Sequence, residues 1–270
     1  MKFRTTIDIP IPNFSFKPCE RVLFVGSCFA DNIGKRFKEE KFRTKVNPFG
    51  VMYNPVSILH TVRKLSNQVF DIAVFTLGTN NVYVEKATGE IVDNCQKRPQ
   101  KLFNEQELTI DEAANALREA IHLLRKQNPN VKVIVTVSPI RYAKYGFHGS
   151  QLSKATLLLA ADKIAREEGE AVYYFPAYEI VNDELRDYRF YKADMLHPND
   201  QAVEYIWERL VATCFSSEAK KFLEAWRPIK EALGHRPFNP DSEAYRLFMQ
   251  KTKEKIQWLK QLYPDLELDE

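Results

Sequence analysis

Short apolar runs, each closed by glycine or proline and each followed by a stretch with helical spacing, recur along most of this chain, and that alternation constrains its fold more than any other feature. Residues 21–26, RVLFVG, are one such run, and SCFADNIGKRFKEE after it carries Phe29, Ile33 and Phe37 about one helical turn apart. Residues 42–46 alternate weakly into NPFGVMYNPVS, after which Pro55 opens a helix with Ile58, Val62 and Leu65 on one face. FDIAVFTLG at 70–78 and VKVIVTVSP at 131–139 are apolar almost throughout, as strands covered on both faces must be. AVYYF at 171–175 is the fifth run. Strands alternating with helices at this pace predict an α/β protein with a doubly wound, mostly parallel sheet.

Other segments decorate that core. Residues 81–92, NVYVEKATGEIV, alternate on both sides of Thr88-Gly89 and predict an inserted β-hairpin. Thr109 with Glu112 is a capping box ahead of Ala113, Leu117, Ile121 and Leu124. A long loop holding Arg141, His148, Gly146 and Gly149 is expected before a helix over 152–168. Helical patterns near 199–215, 218–233 and 242–262 complete the chain, so residues 1–215 read as the main domain and 216–270 as a helical C-terminal extension packed on it.

Composition removes several classes of function. Lysine plus arginine number 39 against 36 acidic residues, a net charge of +3, which favours neither a nucleic-acid nor an anionic membrane partner. Nine glycines in 270 residues leave no material for a glycine-rich phosphate loop. Cys19, Cys28, Cys95 and Cys214 contain no C-x-x-C pair, which fits a reduced compartment. No apolar run reaches the roughly 18 residues of a membrane span. Arg4, Asp8 and two prolines interrupt the start where a secretory leader is apolar, so a cytoplasmic location is expected, with a removed leader left open. The histidines show no metal-ligand spacing, and no cofactor is called for.

In an open α/β sheet, ligands bind beyond the carboxyl ends of the strands. There the first strand delivers Gly26 and Ser27 at a helix start, where amides and the helix dipole favour developing negative charge. A serine there reads either as an N-cap or as a nucleophile. KADMLHPND supplies His197 as a base and Asp194 as its orienter from one tight turn, or His197 as a plain N-terminal helix residue before Pro198. LGTNN ends the third run with Gly78 and Asn80, and NPFGVMYN offers Gly50; such groups suit an oxyanion hole and suit turns equally. Cys28 reads as a small buried helix residue, or as a nucleophile if the helix N-terminus lowers its pKa.

GSCFA at 26–30, with D-M-x-H-P in KADMLHP at the right distance, resembles the GSCFA family and, through serine, glycine, asparagine and histidine at successive strand ends, the SGNH or GDSL-like hydrolases. The resemblance also takes in NPFGVMYNP, NCQKRPQKLF, SPIR, QLSKATLL and ELRDYRFYKADMLHP, and covers roughly residues 5–215. It implies a flavodoxin-like three-layer α/β/α sandwich with a five-stranded sheet, and hydrolysis of a short-chain ester, acetyl above all, on a carbohydrate or cell-wall-related molecule. It further implies Ser27, Asp194 and His197 as catalytic residues, with Ser27, Gly50 and Asn80 lining the oxyanion hole. The usual G-D-S is here G-S-C, and Asn81 stands where an aspartate is common. Asn94 is the alternative amide donor, and Asn94, Arg141 and His148 are candidate substrate contacts. Transfer of the acyl group to a sugar hydroxyl, and a non-catalytic glycan- or partner-binding module, are the rival readings; the sequence leaves the oligomeric state open.

Overall fold

The computed structural model describes residues 1, 4–93, 95 and 98–267. Eight strands follow one another among them: β1 (Arg21–Gly26), β2 (Arg43–Val46), β3 (Ile72–Leu77), β4 (Asn81–Glu85), β5 (Ile91–Val92), β6 (Phe103–Glu107), β7 (Lys132–Val137) and β8 (Val172–Tyr174). Five of them form a parallel sheet in the order β2-β1-β3-β7-β8. The central strands are apolar because both faces are covered. Val22 and Phe24 of β1, with Ile72 and Val74 of β3, enter one core, while Leu23, Val25, Ala73 and Phe75 enter the other, following the two-residue period of a strand.

The helices divide between those two cores. On one face lie α1 (Cys28–Glu39), α6 (Asp200–Cys214) and α7 (Ser217–Gly234); on the other lie α2 (Pro55–Lys64), α3 (Ile110–Gln127) and α4 (Gly146–Glu168). A short α5 (Ala177–Glu179) follows β8, and α8 (Glu243–Leu262) follows α7. This is the expected three-layer α/β/α sandwich. Its helix starts are set locally: the side chains of Ser27, Asn54, Thr109 and Asn199 cap α1, α2, α3 and α6, and Pro55 occupies the first turn of α2.

The last helices share the first core. Phe222, Trp226 and Ile229 of α7 and Leu259 of α8 are buried with Phe37 and Phe42, and the Trp226 indole donates to the Glu39 carbonyl at 3.0 Å. The N-terminal segment is fastened beside them, where Phe16 exchanges backbone hydrogen bonds with Cys214 and Ser216.

Two local expectations change. The insertion after β3 is a three-stranded antiparallel sheet, β5-β4-β6, in which the expected hairpin gains β6 along the free edge of β4. The helix expected from 152 begins at Gly146, so His148 and Gly149 lie in its first turns rather than in a loop. Among the described residues no helix is long and apolar enough to cross a membrane.

Candidate active site

The chemistry-bearing residues gather where β1, β3 and β7 end. Gly26 closes β1 at φ +150, and a Cβ there would stand 2.2 Å from the Thr76 carbonyl, so only glycine lets β1 run this close to β3. Ser27 follows, and its N–H donates to that same carbonyl at 3.0 Å. Its hydroxyl accepts from the Phe29 N–H at 3.3 Å and shares a hydrogen bond with the Thr76 hydroxyl at 3.1 Å. Ser27 is fully buried. Of its two readings, the geometry gives the N-cap in full. Cys28, the first residue of α1, is partly exposed, and its Sγ lies 3.8 Å from the Tyr53 hydroxyl.

Each group expected to donate to the oxyanion already makes a hydrogen bond within the protein. The Ser27 N–H belongs to the β1–β3 ladder. The Gly50 N–H closes a turn onto the Asn47 carbonyl at 2.9 Å. Asn80 is buried, with its side-chain amide donating to the Leu108 carbonyl at 2.9 Å and its N–H to Ser153 Oγ at 2.9 Å. These hydrogen bonds have one cause: each loop at this end satisfies its own polar groups before any ligand is added. Among the described residues the Cys28 N–H, by contrast, has no acceptor, as befits the first amide of a helix. The Tyr142 hydroxyl is likewise buried without a hydrogen-bond partner. It lies 2.6 Å from where a Cβ on Gly78 would stand, and Ser27 Cβ lies 3.4 Å from that same point.

The loops are tied together by groups that the sequence reading passed over. Asn47 accepts the Gly26 N–H at 2.9 Å and donates to Asp31 at 2.7 Å, joining the exits of β1 and β2 to α1. The Tyr53 carbonyl accepts from the Gly78 and Thr79 amides at 2.9 and 2.8 Å. Lys154 of α4 is buried, and its Nζ donates to the Gly78 carbonyl at 2.6 Å and the Ser138 carbonyl at 2.8 Å. Burial lowers this amine to about 7.

Asp194 and His197 meet as their spacing implies. Met195 adopts a left-handed conformation, φ 58, which folds the turn back on itself. Asp194 Oδ1 then accepts the Leu196 and His197 amides at 2.9 and 3.0 Å, and Oδ2 lies 2.6 Å from His197 Nδ1. The two backbone amides, then the ring, hold the Asp194 carboxyl down to about 2. A carboxylate on Nδ1 makes that nitrogen the donor and leaves Nε2 with its lone pair. The pair is part open to solvent, with side-chain exposures of 36% for His197 and 44% for Asp194.

Arg141, after β7, carries the turn. Its N–H donates to the Leu196 carbonyl at 3.0 Å, and its guanidinium donates to the Met195 carbonyl at 3.0 Å while lying over Phe147 and Tyr191. Arg141 also borders a cavity of about 270 Å³ with Gln151, Asn182, Tyr188 and Tyr191. His148 is exposed on α4 and makes no polar contact with any of these groups. Asn94 lies outside the described residues.

The model of the GSCFA family matches residues 21–71 and 64–210, and that of the GSCFA domain protein C-terminal domain matches residues 226–270. No curated protein matches the chain. Among solved structures, an acetyl-xylooligosaccharide esterase from Geobacillus Stearmophilus shares the fold with a TM-score of 0.50 at 14% identity, covering 76% of this chain and 98% of that one. A carbohydrate esterase family 3 structure from Talaromyces cellulolyticus matches with a TM-score of 0.45 at 14% identity, covering 76% and 98%.

Proposed function

Because the chain belongs to the GSCFA family and holds a carboxylate-bound imidazole in a turn fastened to the exit of β7 through Arg141, we propose that it is an ester hydrolase working through an acyl-enzyme. The observation that carries this reading is the Asp194–His197 pair, whose 2.6 Å contact aligns the ring and leaves Nε2 as the base. Nε2 takes the proton of a nucleophile at the N-terminus of α1 as that group attacks the ester carbonyl. The imidazolium, stabilised by Asp194, returns the proton to the departing alcohol. Water, deprotonated by the same nitrogen, then releases the acid. His197 keeps about a third of its side-chain surface open, so water reaches the base, which favours hydrolysis over transfer of the acyl group to another alcohol.

The substrate is a short-chain, acetyl-type ester of a carbohydrate. The family resemblance supplies that expectation, and the cavity beside the His197 turn supports it: tyrosine faces and the side-chain amides of Gln151 and Asn182 line it, a mixture suited to stacking on and hydrogen-bonding to a sugar ring. Release of acetate from acetylated oligosaccharides by the wild type, and its loss in His197→Ala, is the expected result. Equal release by wild type and His197→Ala would refute the reading.

A further inference from the structure

The two candidate nucleophiles sit side by side in different surroundings. Ser27 is closed in: it is fully buried, its hydroxyl is held by Phe29 and Thr76, and its amide is part of the sheet. A hydroxyl in that position would have to abandon the α1 cap before it could attack a carbonyl. Cys28 is placed the other way. It is partly exposed, its thiol is reduced, its own N–H has no acceptor among the described residues, and Sγ lies within weak hydrogen-bonding distance of the Tyr53 hydroxyl. The position also agrees with the sequence: in G-S-C the residue in the place of the G-D-S serine is Cys28, with Ser27 in the place of the aspartate, and both serine and aspartate are good caps.

We propose that Cys28, not Ser27, is the nucleophile of the ester hydrolase, so that the acyl-enzyme is a thioester. This inference rests on the ester-hydrolase reading above. His197 Nε2 removes the thiol proton, and Sγ forms a bond to the carbonyl carbon. The tetrahedral intermediate collapses by breaking the carbon–oxygen bond of the ester, and the alcohol leaves with the proton from His197. Water attacks the thioester, its proton passing to Nε2. The carbon–sulfur bond breaks, the carboxylic acid departs and the thiolate recovers its proton.

Three features of the surroundings support this chemistry. The thiolate lies at the N-terminus of α1, where the helix dipole stabilises negative charge. Tyr53, raised to about 12 by burial first and by Cys28 next, remains a hydroxyl donor beside it across the working pH range. The unpartnered Cys28 N–H and the buried, unpartnered Tyr142 hydroxyl supply donors for the oxyanion in place of Gly50 and Asn80. Burial pushes the thiols of Cys19, Cys95 and Cys214 up.

The test uses the full chain with Cys28→Ala, Cys28→Ser, Ser27→Ala and His197→Ala, each checked for folding by circular dichroism. Iodoacetamide labelling mapped by peptide mass spectrometry should modify Cys28 at least about tenfold faster than Cys95, and His197→Ala should slow that labelling. On p-nitrophenyl acetate, Cys28→Ala should lose on the order of 10³-fold or more in kcat. Ser27→Ala should keep turnover within about tenfold while melting at a lower temperature. Cys28→Ser should turn over slowly and become sensitive to a fluorophosphonate that leaves the wild type untouched. Turnover retained in Cys28→Ala but abolished in Ser27→Ala overturns the thiol assignment and leaves the ester reading standing. Absence of wild-type turnover on any ester, with fast His197-dependent labelling of Cys28, overturns the ester reading instead. Labelling of Cys28 no faster than Cys95 and indifferent to His197 overturns the activated thiol directly.

Discussion

Replacing Lys154 by methionine separates the electrostatics of the site from its chemistry. The amine is buried and bonds the carbonyls of Gly78 and Ser138, at the exits of β3 and β7. Losing it leaves two buried acceptors without their donor, a cost of about 1–3 kcal/mol each. Against this, the wild type carries the penalty of burying a charge whenever Lys154 is protonated. Its pKa falls from 10.5 in the unfolded chain to about 7 in the folded one, so between those values the unfolded state holds more protons and stability rises with pH. The contribution of the neutral amine is therefore complete above pH 10.5 and lost as pH falls through about 7. Wild type and Lys154→Met should then diverge by about 1.4 kcal/mol per pH unit inside that window, and run parallel below it. Urea denaturation of both proteins at intervals from pH 6 to 10 measures this difference, because titrating cysteines and tyrosines common to both cancel. A stability difference that stays flat from pH 7 to 10 would refute the argument. The same substitution should lower kcat, since the Gly78-Thr79-Asn80 turn loses its anchor.

Gly78→Ala would place a methyl 2.6 Å from the Tyr142 hydroxyl and 2.8 Å from the Tyr53 carbonyl; a loss of about 1–3 kcal/mol in stability, with reduced ester turnover, is expected from chemical denaturation and a p-nitrophenyl ester assay. Asp194→Asn should cost on the order of 10²–10⁴ in kcat while leaving the melting temperature nearly unchanged, because its role is to orient and stabilise the His197 ring. Since the carboxyl of Asp194 is held down to about 2, its hold on His197 is present above that value and lost only as pH falls through it; the pH–rate profile should show no break from Asp194 near the usual carboxylate range. Trp226→Ala removes a fully buried ring whose indole caps the Glu39 carbonyl, and should cost about 3–5 kcal/mol in a denaturant titration.

The parts of this molecule that declare themselves in sequence are those with strong local causes. The β1, β3 and β7 runs are apolar because helices cover both faces, and the caps at Ser27, Thr109 and Asn199 act within three residues of their own position. The Asp194–His197 contact is legible for the same reason, since one turn supplies both partners. β6 is not legible, because FNEQE is mostly exposed and pairs only along the edge of β4, leaving no alternating apolar signal. The surroundings of the expected oxyanion donors are not legible for a different reason: which acceptor an amide meets depends on distant groups, such as Leu108 for Asn80, that no spacing reveals. Lys154 is concealed in QLSKATLL, where a lysine ordinarily reads as a solvated helix residue. The family pattern points to the turn at the start of α1, but that Ser27 is buried there while Cys28 is partly exposed is a tertiary property that the pattern does not carry.

Acid-quenched mixing of the wild type with p-nitrophenyl acetate, followed by peptide mapping of the trapped acetyl group, addresses the mechanism most directly. An acetyl group on the peptide containing Cys28, discharged by hydroxylamine at neutral pH and absent in His197→Ala, is the expected outcome. Acetyl found on Ser27, or turnover that leaves no acetyl on this turn and is indifferent to His197, would contradict the assignment of a thioester-forming hydrolase.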